Sequence, residues 1–288
     1  MVSAAASEDI AEAGGAAAAA SEGSEGAILE EEELPVDGDQ LAMGRDMDDL
    51  KELVTKLEHA FHYRLVSVVL YGSGAHAHQH AADHLGRFSD LNVLCVLKEI
   101  TTQELADGEP ILRWWSRKGH PSPLLLSEDE LHHSTDSFPI EFRDMKDRRK
   151  VLYGPDLIAD LKLDTKYYRA HIEHELRSKL IRLRQQGAQR LSDPAALLSL
   201  CVESVSTFCV LGRHGLLAAG IEAKVERRAV VRQLGAAIQM DVTPLEILLD
   251  LREDKAGPEA GDPGELFAKY LECIQRMIEF VDHLEEMR

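Results

Sequence analysis

Apolar residues change their spacing along this chain, and the change divides it into two parts. Residues 47–65 place large apolar side chains three or four positions apart, which is typical of an amphipathic helix. Two apolar runs rich in β-branched residues follow at 66–72 and 91–100, and such runs are typical of buried strands. After about residue 160 the long segments all show the helical period. The pattern predicts an α+β protein with a small mixed-sheet domain ahead of an α-helical bundle.

One segment of the first part alternates instead of running apolar throughout. Between 138 and 145, Ile140 and Phe142 alternate with Glu141 and Arg143, which predicts a strand with one solvated face. The other elements predicted for this part are a helix at 101–119 broken near Gly108 and Pro110, a short strand at 122–127 and a helical turn at 128–134.

The second part is divided by breaks that contain proline and glycine. Asp193 and Asp262 each stand directly before a proline, an order typical of a helix N-cap followed by proline at the first helical position. We therefore expect four or five helices, and we place the two domains at residues 41–160 and 161–288. The predicted helices cover residues 166–187, 194–219, 223–239, 244–254 and 263–287.

Residues 1–40 differ in composition from the rest of the chain. They contain eleven acidic residues and no lysine or arginine, and so account for more than half of the net charge of −19. With few large apolar residues, this segment cannot bury enough surface to offset the entropy lost on ordering. The composition predicts a disordered acidic tail, whose charge disfavours binding to nucleic acid, duplex DNA included.

The four cysteines are widely spaced and lie in apolar segments, which is typical of reduced core residues and unlike a disulfide framework or a zinc site. No apolar run approaches the roughly 18–20 residues of a membrane span. The amino terminus lacks the basic region of a secretory signal. We expect a cytoplasmic protein with no membrane partner. The cysteines are Cys95, Cys201, Cys209 and Cys273.

Two short motifs border the segment between the first two predicted strands. The first strand ends in Gly72-Ser73, where glycine allows close approach of a ligand, and N–H groups with a hydroxyl can bind a phosphate oxygen. Ser89 and Asp90 precede the second strand, which contains Asn92. Because side chains alternate along a strand, residues 90 and 92 share one face and can bind Mg²⁺ beside a substrate phosphate. The motifs indicate metal-assisted chemistry on a nucleotide phosphate.

This pair of motifs resembles the signature of the nucleotidyltransferase superfamily, which includes DNA polymerase beta and the aminoglycoside nucleotidyltransferases. That signature is an apolar strand, Gly-Ser, a loop, and Ser-Asp-x-Asp on the next strand. Gly72-Ser73 match the turn, Ser89-Asp90 match the second half, and Asn92 occupies the second aspartate position. The resemblance implies a nucleotidyltransferase-like fold in which Gly72, Ser73 and Ser89 bind nucleotide, while Asp90 and Asn92 bind Mg²⁺. It covers the α/β part by pattern and the helical part by architecture only.

The chain departs from the family signature at two places. Asn92 stands where the family has a carboxylate, so its amide oxygen offers a metal ion no charge. The strand at 122–127 has no acid, whereas family members usually present a further Glu or Asp as general base or metal ligand. The predicted 138–145 strand offers Glu141. It is a candidate base if that strand lies beside Asp90, and a solvated surface residue if the strand is at the edge.

Basic residues are concentrated between 143 and 190. Arg177 and Arg182 fall outside the packing stripe of the helix at 166–187, and two interpretations are open. They belong to a solvated helix face, or they bind a triphosphate across the cleft from Gly72-Ser73.

Histidines cluster at 76–84 and at 171–175, and imidazole is a ligand for zinc or nickel. Cysteines are absent from both segments, and surface histidines need no ligand. We expect these to be surface or hydrogen-bonded histidines instead of a metal site.

The leading hypothesis is Mg²⁺-assisted transfer of a nucleoside monophosphate from an NTP to a hydroxyl, with Asp90, Asn92 and Glu141 as catalytic residues. The acceptor stays open among a small molecule, a protein side chain and an RNA end. One alternative is a catalytically depleted homologue that binds nucleotide or a protein. Another is a minimal transferase that modifies a helical partner protein.

Overall fold

The computed structural model describes residues 38–72, 74–75, 91–163, 165–253 and 261–285. The predicted acidic tail, apart from its last three residues, lies outside the described residues, as do the first histidine-rich segment and Ser73, Ser89 and Asp90. Residues 38–40 belong to the first helix, and the boundary of the predicted tail stays a prediction. The described residues fall in one compact unit, Gly38–Arg288, and the domain boundary at residue 160 stays a prediction.

The described strands form one mixed sheet in the order β3-β2-β1-β4. Strand β1 (Leu65–Tyr71) is antiparallel to β2 (Asn92–Leu97) and to β4 (Arg149–Tyr153), whereas β2 is parallel to β3 (Leu124–Ser127). The register pairs Tyr71 with Asn92, so the end of β1 lies beside the start of β2. The predicted strands at 66–72, 91–100 and 122–127 are confirmed to within a few residues.

Helices cover both faces of this sheet: α1 (Gly38–Phe61) and α2 (Thr102–Arg117) on one side, α3 (Glu128–His133) and α4 (Pro139–Asp147) on the other. Val68 packs in the core between the sheet and helices α1 and α2, and its neighbour Val69 packs in the core on the opposite face, because side chains alternate along a strand. A strand buried on both faces needs apolar residues throughout, which explains the continuous run in the sequence.

The segment at 138–145 is a helix, α4, and its prediction as a strand is wrong. Pro139 occupies the start of the helix, where its missing N–H has no helical partner to lose. Phe142 and Met145 are both buried and stand three positions apart, which is the helical spacing. The alternation of Ile140 and Phe142 with polar neighbours is too short to separate a strand from a helix that begins there. Glu141 therefore projects from a helix and not from a neighbouring strand.

Helix α2 is continuous, so the predicted break near Gly108 and Pro110 does not occur. Thr101 caps its start: the Thr101 side chain accepts from Gln103 N, and the Glu104 carboxylate accepts from Thr101 N at 2.9 Å. A Cβ at Gly108 would lie 3.1 Å from the Phe61 ring, so this glycine lets α1 and α2 pack closely.

Five further helices of the described chain share a single apolar core. The predicted N-caps are confirmed, because the Asp193 side chain accepts from Ala196 N at 3.0 Å and that of Asp262 accepts from Glu265 N at 2.8 Å. Each cap is followed by proline at the start of its helix. The helices are α5 (Tyr168–Ala188), α6 (Pro194–Ala218), α7 (Arg227–Ile238), α8 (Thr243–Arg252) and α9 (Pro263–Asp282).

Helix α6 is the central helix of this group and packs against the other four. Its mean hydropathy of 1.8 over 18 residues makes it long and apolar enough to cross a membrane, by length and composition alone. The expectation that no segment reaches this threshold is therefore wrong for α6. A core helix of a helical bundle meets the same threshold, and α6 occupies that position in the described part of the chain.

The prediction of reduced core cysteines is confirmed: all four are free and buried. Burial raises the pKa of each thiol, to about 11 for Cys201 and to about 12 for the other three.

Candidate functional site

A cleft of about 450 Å³ lies where the Tyr71–Asn92 edge of the sheet faces the helical part. The sheet contributes the end of β1 and the start of β2, and α4 contributes its outer face. Helices α5 to α8 supply the opposite wall. The charged residues that line the cleft are Glu141, Asp144, Arg148, Glu175, Lys179, Glu203, Arg213, Arg227 and Arg252.

Gly72 forms the turn that the sequence predicts at the end of β1. Its φ is +75°, a left-handed conformation that favours glycine. The Gly72 N–H donates to Arg148 O at 3.2 Å, which fixes the turn against the end of α4. A Cβ at this position would lie 3.4 Å from Asn92 Nδ2, so the turn and the asparagine are in close contact.

Asn92 begins β2, is partly buried and lines the cleft. The neighbouring Ser73, Ser89 and Asp90 lie outside the described residues, so their roles in binding nucleotide and metal stay predictions.

Glu141 lies on the exposed face of α4 and also lines the cleft. It is close enough to β1 for its charge, after burial, to raise the pKa of the Tyr71 hydroxyl. The structure therefore brings Gly72, Asn92 and Glu141 to one cleft. Neither arrangement expected for Glu141 occurs, since the residue approaches the cleft from a helix.

Arg177 and Arg182 are on α5, as predicted, but neither lines the cleft. Arg177 donates to Glu173 at 2.7 Å and to Asp282 at 3.1 Å, and the Arg182 side chain is exposed. Lys179, between them in the sequence, does line the cleft, and its Nζ lies 3.6 Å from Glu175 Oε2. A nucleotide-binding role for the two arginines stays a prediction that the position of Arg177 does not favour.

Within the described residues there is no group of three or more His, Cys, Asp or Glu side chains that could hold a metal ion. The histidines at 171–175 are among the described residues, whereas the segment at 76–84 lies outside them.

A buried polar network beside the cleft joins α4 to α6, and the sequence analysis missed it. Arg213 is 3% exposed and donates to Asp144 at 2.8 Å and also to Asp147. The fully buried His214 places Nε2 3.1 Å from Asp144 Oδ1, and its Nδ1 is hydrogen-bonded to the Tyr168 hydroxyl. The available signal was an Arg-His pair inside an otherwise apolar helix, since such groups are buried only with partners.

The network controls the charge of Asp144. Burial acts to raise the pKa of this carboxyl, but the contact with His214 Nε2 at 3.1 Å and the charges of Arg148 and Arg213 outweigh burial and lower it. Asp144 is therefore a carboxylate whose charge is already compensated by protein groups. Burial raises the pKa of Tyr168, so its hydroxyl stays protonated.

The described features match the nucleotidyltransferase-like architecture that the sequence resemblance implies: a mixed sheet, a glycine turn beside Asn92, and helices facing that edge. No family model matches the chain, and no curated protein matches it.

The chain is similar in structure to spectinomycin adenyltransferase AAD(9) from Enterococcus faecialis, solved with ATP and spectinomycin. The TM-score is 0.48 and the sequence identity 12%, over 79% of this chain and 99% of that one.

Proposed function

We propose that the protein is a nucleotidyltransferase that moves a nucleoside monophosphate from an NTP to an acceptor hydroxyl. The observation that supports this proposal is the convergence of Gly72, Asn92 and Glu141 on one cleft. These residues come from separate parts of the sequence. The sequence predicts phosphate binding by the Gly72 turn, metal binding by Asn92 and proton acceptance by Glu141.

In the proposed reaction the acceptor oxygen attacks the α-phosphorus of the NTP. The bond between the α-phosphorus and the oxygen that joins the α- and β-phosphates breaks, and pyrophosphate leaves. The acceptor proton passes to Glu141, the carboxylate that faces the cleft from α4. The Gly72 turn holds the phosphates beside the end of β1.

The carboxylate oxygens of Asp90 and the amide oxygen of Asn92 are ligands that suit Mg²⁺. Asn92 lies at the cleft, where such an ion would contact the phosphates. When bound, the ion supplies charge neutralisation of the phosphate oxygens. The chain's own residues position the acceptor and accept its proton.

Asn92 also favours a second function, a depleted homologue that binds nucleotide without turning it over. An amide oxygen carries no charge, so Asn92 would supply a bound Mg²⁺ with less charge compensation than a carboxylate at this position would.

The test measures binding of ATP and the other NTPs with and without Mg²⁺, followed by pyrophosphate release in mixtures of hydroxyl-bearing acceptors. We expect Asp90→Ala to weaken Mg²⁺-dependent NTP binding by about tenfold or more, because it removes the charged ligand. Asn92→Asp should strengthen that binding by restoring a second charge.

Asp160→Ala serves as the control, because Asp160 is an exposed acid that does not line the cleft. Pyrophosphate release by the wild type supports the transferase, whereas NTP binding without release in any acceptor mixture supports the depleted homologue. Failure of the wild type to bind any NTP would contradict both.

A further inference from the structure

Arg148 is a partly buried cation that forms no direct ion pair in the described chain, although the charges of Asp144 and Asp147 act on it. Its Nε is buried and donates no hydrogen bond, and its guanidinium pairs with no described carboxylate. Burial, followed by the nearby charges of Arg213 and Arg227, lowers its pKa against the opposing effect of Asp144 and Asp147. Its backbone oxygen accepts from Gly72 N at 3.2 Å, so this cation is attached to the turn itself.

Arg227 is the second such cation on the cleft. It is the first residue of α7, and it pairs with no carboxylate of the described residues. Its neighbour Arg228 differs, because it donates to Asp250 at 2.6 Å and to Glu253 at 2.8 Å. The N-cap residue of α7 is Glu226, whose side chain makes no capping hydrogen bond, and the first turn of the helix contains no acid.

The acids near these two arginines are already engaged. Asp144 and Asp147 both accept from Arg213, and Asp144 also interacts with His214. Arg213 therefore uses both carboxylates, and Arg148 and Arg227, whose charges act on each other, form an ion pair with neither. Cations that are brought together and partly desolvated without compensation destabilise the fold, unless an anionic ligand supplies the missing charge.

We propose that Arg148 and Arg227 together bind the polyphosphate chain of the nucleoside triphosphate. This inference rests on the proposed function for the nucleotide, but the electrostatic argument requires only a polyphosphate anion. Guanidinium groups suit the site, because each presents several N–H donors to phosphate oxygens. The assignment is an alternative to the Arg177 and Arg182 pair, for which the sequence left this role open and which does not line the cleft.

The test compares Arg148→Gln and Arg227→Gln with wild type in calorimetric titrations of ATP, inorganic tripolyphosphate and adenosine. Each substitution removes charge-assisted phosphate contacts, so we expect ATP and tripolyphosphate to bind about 10- to 100-fold more weakly. Arg148→Lys should recover part of the affinity, because it keeps the charge and loses the fork geometry.

Thermal unfolding without ligand separates this role from a structural one. Removal of an uncompensated cation should leave the unfolding temperature unchanged or raise it, whereas loss of a structural arginine would lower it. Arg232→Gln is the matched control, since it removes an exposed arginine of the same helix as Arg227 that does not line the cleft, and it should not change ATP affinity.

The outcomes separate this inference from the proposed function. Unchanged ATP affinity in both variants, with binding by the wild type, would overturn the inference and leave the proposed function in place. Arginine-dependent binding of tripolyphosphate without any binding of ATP would support the anion site and contradict the transferase. A wild type that binds neither compound would overturn both proposals.

Discussion

Glycine residues with positive φ occur at several positions in this chain, and their surroundings differ. Gly154 follows β4 with φ +73°, and a Cβ there would lie only 2.0 Å from the Val66 carbonyl oxygen. Gly220 follows α6 with φ +77° and has no atom within 4 Å of that position. Conformation alone favours glycine at Gly220, whereas conformation and a backbone collision both require it at Gly154.

The pair allows the two effects to be measured separately. Gly220→Ala should cost about 1–2 kcal/mol, the penalty for a left-handed alanine. Gly154→Ala should cost about 3 kcal/mol or more, because β4 must also move away from β1. Urea denaturation of both variants and the wild type gives the values, and equal losses would show that the strand shifts freely.

At the same scale, the glycine of the Gly72 turn could be predicted and the arginines of the cleft could not. A strand followed by Gly-Ser is a local pattern, and the positive φ of Gly72 confirms the turn. Whether an arginine has a partner depends on distant acids. Arg177 is paired by Asp282, 105 positions away, and Arg148 has no paired carboxylate although Asp144 is four positions away.

At the scale of elements, local signals predicted the helices well where caps define them. Asp193 and Asp262 mark the starts of α6 and α9 to the residue. Helix α4 was mispredicted because four alternating residues at its start fit two periods equally, and only the burial of Met145 separates them. Because this segment is a helix and not a strand, Glu141 approaches the cleft from a helix. An error in predicting one element therefore changes the expected geometry of the site.

The cap at Asp193 gives a prediction for the start of α6. Asp193→Ala should destabilise the protein by about 1 kcal/mol, because Ala196 N–H loses its acceptor. Asp193→Asn should retain most of the stability, since its amide oxygen accepts the same bond. Chemical denaturation checks both variants, and an equal loss in the two would indicate a role for the charge instead of the cap.

At the scale of the whole molecule, Arg213 and His214 connect the helical part to the sheet through α4. The lowered pKa of Asp144 means that this connection is stabilising while the carboxyl is ionised. A depressed pKa gives stability that is fully present above the unfolded value, 3.8, and lost as pH falls through the folded value.

The pH dependence follows from that sign. We expect the wild type to be more stable than Asp144→Asn at pH 6, because the substitution leaves Arg213 and His214 without the carboxylate. The difference in the free energy of unfolding should shrink as the pH falls below about 4. Denaturant unfolding from pH 6 to pH 3 measures it, and a difference independent of pH would contradict the assignment.

The burial of every cysteine has a practical consequence for studying motion at the cleft. Cys95 is buried beside the sheet and the other three cysteines are buried in the helical core. Buried thiols with a pKa of about 11 or above react slowly with maleimides at neutral pH. A cysteine placed on each wall, for example at exposed positions on α4 and α5, would therefore carry a fluorophore pair without removal of any native residue. The distance between the two walls could then be followed in solution as nucleotide is added.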